Sequence, residues 1–177
     1  ERESIIERHL SNLAVYVDSP LPLNSWAYEP VLPMPDYDPG GARALLERVN
    51  VPEVEVAVEV TPEVDGTGES VNAVLRFSLL TPDDPALINV AQEIAAQWDQ
   101  IYPGYLDVEV ETVSLDVYQT RLETADFDAA LVELSKEGNA DPDVYNFWHQ
   151  GQYPDGQNYG GANDRSVSEL LERGRRD

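Results

Sequence analysis

The sequence predicts an α/β domain, a mixed and largely parallel sheet flanked by helices. Three observations carry that prediction. Short segments such as EVEVAVEV at 53–60 alternate apolar and polar residues, the period of a strand. Longer segments between them repeat apolar residues at helical spacing. From residue 73 to residue 134 the order is strand, helix, strand, helix, strand. Strands separated by helices pair in parallel through right-handed crossovers.

Taken in order, residues 1–10 form a short helix with Ile5, Ile6 and Leu10 on one side. Residues 19–39 hold Pro20, Pro22, Pro30, Pro33, Pro35 and Pro39. Proline removes backbone donors and fixes φ, so this stretch is irregular. Its aromatics, Trp26, Tyr28 and Tyr37, suggest a loop packed onto the body. Asp38-Pro39 starts a helix, Asp as N-cap and Pro in the first turn, carrying Ala42, Leu45, Leu46 and Val49. The strand at 53–60 puts Val54, Val56, Val58 and Val60 on one face and Glu53, Glu55 and Glu59 on the other. A turn at 66–70 leads to a strand at 73–80.

Asp84-Pro85 starts a second helix with the stripe Leu87, Ala91, Ile94, Ala95 and Trp98, and Tyr102-Pro103-Gly104 ends it. A strand at 107–113, a helix carrying Leu115, Tyr118 and Leu122, and a strand at 127–134 follow. Residues 135–163 read as a polar and aromatic loop. A last helix over 165–173 carries Val167, Leu170 and Leu171, with Gly174 at its end.

The 177 residues suit one domain, 1–177. There are 34 acidic and 11 basic residues, for a net charge of −23, and Lys136 is the single lysine. Such a surface repels phosphates and anionic lipid, so nucleic acid is not an expected partner. The charge serves solubility, or adaptation to a salty habitat in which counter-ions screen it. The absence of cysteine excludes disulfides, thiolate metal sites and a cysteine nucleophile. His9 and His149 lie far apart, and a metal site needs several convergent ligands, so no metal or cofactor is expected. No apolar run approaches the ~18 residues of a membrane span.

Five segments together carry a family resemblance: ERESIIERHL (1–10), SPLPLNSWAYEPVLPMPDYDPGGARALLE (19–47), residues 75–113, YQTRLETADFDAALVEL (118–134) and the DPD-containing segment 140–177. In order and spacing the chain resembles family 5 of the extracellular solute-binding proteins, which serve peptide and nickel ABC importers. Residues 50–73 depart from the pattern, being longer and more acidic. The resemblance implies the C-terminal lobe of a two-lobed fold of the type II periplasmic-binding-protein kind. It also implies that the N-terminal lobe and the final C-terminal strands lie outside this chain. The implied function is capture of an extracellular peptide or similar small solute in a cleft between lobes, for delivery to an ABC permease. The implied location is extracellular or periplasmic, with the full-length protein held at the membrane through a lipid anchor or its permease. A ligand-sensing module of the same fold in a transcription regulator is the alternative.

The resemblance also implies an acid, just before the DPD-like motif, that holds a peptide ammonium. Gly138 occupies the matching position and Glu137 stands beside it. Glu137 therefore reads either as the anchor or as a solvated carboxylate next to Lys136. Asn139 and Asp141 lie on the same stretch, and Asp141-Pro142-Asp143 also reads as a turn and helix start. Tyr145 and Trp148, with Phe147, are either core or cleft wall. Asn158 and Tyr159 match the family's Asn and nearby aromatic, and Trp26 is a further candidate from the proline-rich loop. Glu137, Asp141 and Asp143 could pair for acid–base hydrolysis, but neighbours on one acidic loop need not face each other. A binding protein, not an enzyme, is the expectation.

Overall fold

In this computed structural model the residues described are 1–17, 19–21, 23, 25–29, 36–48, 75–134 and 142–176. The expected strand at 53–60 and turn at 66–70 lie outside them. The described elements are α1 (Arg2–His9), α2 (Pro39–Leu46), β1 (Leu75–Pro82), α3 (Pro85–Asp99), β2 (Leu106–Val113), α4 (Leu115–Glu123), β3 (Ala129–Ala130), α5 (Tyr145–Trp148) and α6 (Arg165–Gly174), with one 3-10 turn at Gln150–Gln152.

The sheet is parallel, in the order β2-β1-β3. β1 is central, and its side chains alternate between two apolar layers. Leu79 joins Ala91, Ala95, Leu106 and Val108 beneath α3. Leu80, one residue on, joins Tyr118 and Leu122 beneath α4. A strand covered on both faces must be apolar at consecutive positions, which explains the run from Leu79 into Leu80.

The helices start as the sequence predicts. The Asp38 side chain accepts from Gly41 N–H, and Asp84 from Ala86 N–H and Leu87 N–H, each with proline in the first turn. The turn after α3 uses Gly104 at φ +78°, a conformation that costs a residue without Cβ little. Asp99, the last residue of α3, accepts from Val108 N–H at 2.9 Å and so ties the helix to β2. On the outer side, Glu93 gathers α1 onto α3. Gln97 donates to it, Arg8 pairs with it at 2.7 Å and His9 lies at 3.4 Å. The Gln97 hydrogen bond, with those of His9 and Arg8 and against partial burial, holds the Glu93 carboxyl below the usual range.

Four expectations are corrected. The strand predicted at 127–134 forms ladder pairs only at Ala129 and Ala130, with Leu131 N–H then donating to Leu80 O at 2.9 Å. Before the ladder, Ser78 N–H donates instead to the Asp128 carboxylate at 2.9 Å, so a side chain replaces a strand carbonyl. The loop expected throughout 135–163 contains α5 and the 3-10 turn. Trp26 does not pack onto the body: it is 80% exposed. β1 also runs to Pro82, past the predicted end at 80, because proline is tolerated at a strand terminus.

Among the described residues, Thr81 Oγ1 is the buried side-chain atom without a hydrogen-bond partner, on a residue 0% exposed. Replacing such a hydroxyl by a methyl removes an uncompensated desolvation cost. Thr81→Val is therefore expected to raise stability by about 1 kcal/mol in urea unfolding. A loss of stability would mean that the hydroxyl is satisfied in solution.

Candidate ligand-binding site

The strand order sets where a ligand can meet backbone. From β1 the chain crosses to β2 on one side, and from β2 it crosses back to β3 on the other. α3 covers one face and α4 the opposite one. Such a reversal opens a crevice outside the carboxyl ends of the two strands that flank it, here β1 and β3.

That edge is built from short capping devices. Asp83 N–H donates to Val113 O at 2.8 Å and joins the ends of β1 and β2. Ser114 Oγ donates to Asp116 at 2.6 Å at the start of α4, and this bond is the main cause that lowers the Asp116 carboxyl pKa. Tyr118 Oη donates to Leu131 O at 2.7 Å and fixes the exit of β3. Burial, ahead of the nearby Tyr159 and Glu133, pushes the Tyr118 hydroxyl above the usual tyrosine value.

The segment 142–163 attaches to the same edge. Tyr159 packs against the cluster of Leu80, Tyr118 and Leu122. Asn158 is 2% exposed and frames the segment from inside. Its amide nitrogen donates to His149 O at 3.3 Å and to Ala162 O at 2.8 Å, and its oxygen accepts from Ala162 N–H at 2.9 Å. Tyr145 stacks on the His149 ring, with centroids 4.1 Å apart, and the Arg175 guanidinium lies 3.8 Å over Tyr145. Arg175 also donates twice to Asp143 Oδ2, at 2.9 and 2.6 Å. Trp148 is exposed beside this stack.

The structure thus brings Tyr145, Trp148, Asn158 and Tyr159 together on one framed segment, while Trp26 lies on the proline-rich segment. Glu137, Asn139 and Asp141 lie outside the described residues. The chain leaves the sheet's carboxyl edge at Leu134 and is described again from Pro142. Sequence reasoning missed His149, Glu172 and Arg175. The four-residue spacing of Tyr145 and His149 signals a stack within one helical turn. Nothing in sequence signals partners 23 and 32 residues away.

A groove of about 1210 Å³ lies elsewhere, between α1, α2 and the C-terminal half of α3, lined by Ile5, Tyr16, Tyr37, Leu45, Ile94 and Trp98 among others. α3 runs antiparallel to the strands it connects, so this groove faces the amino edge of the sheet. Among the described residues no group of three or more His, Asp or Glu could hold a metal, and no helix is long and apolar enough to cross a membrane.

Comparison with solved structures bears out the fold. The oligopeptide-binding protein AppA of Bacillus subtilis, solved with a nonapeptide, matches with a TM-score of 0.71 and 21% identity, over 97% of this chain and 32% of that one. NikZ of Campylobacter jejuni, solved with Ni(L-His), matches at 0.73 and 22%, over 98% and 33%. The periplasmic binding protein DppA of Helicobacter pylori, solved with a peptide, matches at 0.75 and 20%, over 98% and 30%. The chain therefore spans about a third of the length of these structures. A search of curated proteins found no match. The family model of the bacterial extracellular solute-binding proteins, family 5 Middle, matches residues 1–156, and the chain belongs to that family of extracellular or periplasmic binding proteins.

Proposed function

We propose that this chain is the C-terminal lobe of the substrate-binding component of an ABC importer, which captures a peptide or similar small solute between two lobes. The observation that carries the reading is the carboxyl edge of β1 and β3, with the aromatic segment 142–163 docked beside it through Tyr159. Open parallel sheets receive ligands there, and the family is one of solute binders. Relatives solved with a nonapeptide, a shorter peptide and a nickel–histidine complex support a small polar ligand.

In this reading Glu137 accepts the ligand ammonium, and Asn139 and Asp141 line the same stretch. Tyr145, Trp148 and Tyr159 form an aromatic wall, Asn158 shapes it, and Trp26 contributes from the proline-rich segment. A carboxylate and an ammonium in a partly dry cleft make charge-assisted bonds about twice as strong as neutral ones. The full-length protein meets an ABC permease and is held at the membrane as a lipoprotein.

The test is a thermal-shift screen of the intact protein with di- to pentapeptides, nickel complexes and oligosaccharides. A ligand that binds only the native state stabilises it by about 2.7 kcal/mol at a hundredfold excess over Kd. The expected result is a shift with free peptides that disappears when the peptide N-terminus is acetylated. A shift with sugars or chelates alone would keep the solute-binding reading and remove Glu137 from its role. No shift with any of these ligands would count against the reading itself.

A further inference from the structure

We infer that Arg175 is a positioning residue for the candidate site, which fixes Tyr145 between two flat partners and so sets where α5 and Trp148 stand. The guanidinium lies 3.8 Å over the Tyr145 ring, and the His149 ring lies 4.1 Å from the same centroid, tilted by 12°. Two planar groups that close to one centroid would overlap on a shared face, so they cover opposite faces. Tyr145 is therefore the middle layer of three, and it offers a ligand its rim, not a face. Trp148, three residues on, is 42% exposed, and among the described residues no ring stacks on it.

A four-residue helix does not hold itself together, because its single turn fixes several dihedrals for few hydrogen bonds. Its anchors come from α6. Ser168, Glu172 and Arg175 follow one another at one-turn spacing and share a face. Ser168 Oγ accepts from Gln150 N–H at 3.1 Å, and Glu172 Oε1 lies 3.3 Å from His149 Nε2. Arg175 reaches the start of α5. Its Nε and Nη2 donate to Asp143 Oδ2 at 2.9 and 2.6 Å, and Nη2 also to Asn146 Oδ1 at 3.4 Å. Asp143 Oδ1 accepts from Tyr145 N–H at 3.0 Å, so one carboxylate joins the first residue of α5 to Arg175. A lysine would supply the charge to Asp143 but no plane to cover the ring. The bearing on ligand capture rests on the function proposed above, because this segment carries the aromatic candidates.

Hydrogen exchange and NMR of the intact protein without ligand test the placement, whatever the thermal-shift screen finds. The amides to follow are those of Phe147 and His149, which donate to Val144 O and Tyr145 O. Arg175→Ala is expected to lower their protection about tenfold through local opening, while the amides of Ser168 and β1 hold. Arg175→Lys should recover only a minor part of that loss. In the unsubstituted protein the Arg175 side-chain protons should resonate upfield, shielded by the Tyr145 ring, and Tyr145→Leu should abolish the shift. Unchanged protection in Arg175→Ala would overturn the inference, as would an equal loss in β1. Full recovery in Arg175→Lys would reduce Arg175 to a point charge and overturn the layered arrangement, and unshielded Arg175 protons would do the same.

Discussion

Leu80→Ala is expected to destabilise the domain by about 3 kcal/mol, the middle of the range for a fully buried leucine truncated to alanine. Leu80 is 0% exposed, on the central strand, and it meets Tyr118 and Leu122 on α4. Val113, Phe127, Ala130, Val132 and Tyr159 close the same cluster from β2, the approach to β3, β3 itself and the docked segment. A cavity there touches every element on the α4 face at once, so the surroundings have little freedom to collapse. Urea unfolding checks the expectation: the midpoint should fall with the slope unchanged. A cost below about 1 kcal/mol would mean that the α4 layer is far looser than its contacts indicate.

The second large effect is expected from Asn158→Ala, at about 2 kcal/mol. The substitution leaves His149 O and both polar backbone groups of Ala162 without the partners they have now. Unmade bonds of buried backbone groups are costly, because water does not replace the lost partner. The loss should concentrate in exchange protection of the segment 149–162, since the amide touches only that segment. Unchanged stability together with lost ligand affinity would instead make Asn158 a ligand contact.

Much of the fold was legible because short-range chemistry writes it. Asp38-Pro39 and Asp84-Pro85 cap helices where they stand, and Leu87 through Trp98 carry the helical period into α3. The strand–helix–strand order from β1 to β3 led directly to the parallel sheet. β3 was overestimated because the apolar run in FDAALVEL does not reveal that Asp128 would bond Ser78, 50 residues earlier. α6 shows the same limit. The helix forms where expected, yet it buries Ser168 and leaves Val167 and Leu170 of the apolar stripe exposed. Periodicity locates a helix but does not fix which face it buries. In the segment 142–163 the aromatic candidates could be named from sequence, but their framing by His149, Glu172 and Arg175 depends on long-range contacts.

The unequal pairing of the two flanking strands has a kinetic consequence. β1 and β2 share eight register pairs and are joined by α3 alone, whereas β1 and β3 share two pairs across a separation of 50 residues. Closing the shorter loop costs less chain entropy and is repaid by the longer ladder. The unit from Leu75 to Val113 is thus the expected folding nucleus, with β3, α4 and the aromatic segment condensing onto it afterwards. In those terms the carboxyl edge between β1 and β3 is assembled last and opens first, so the candidate site can rearrange while the β1–α3–β2 unit stays folded.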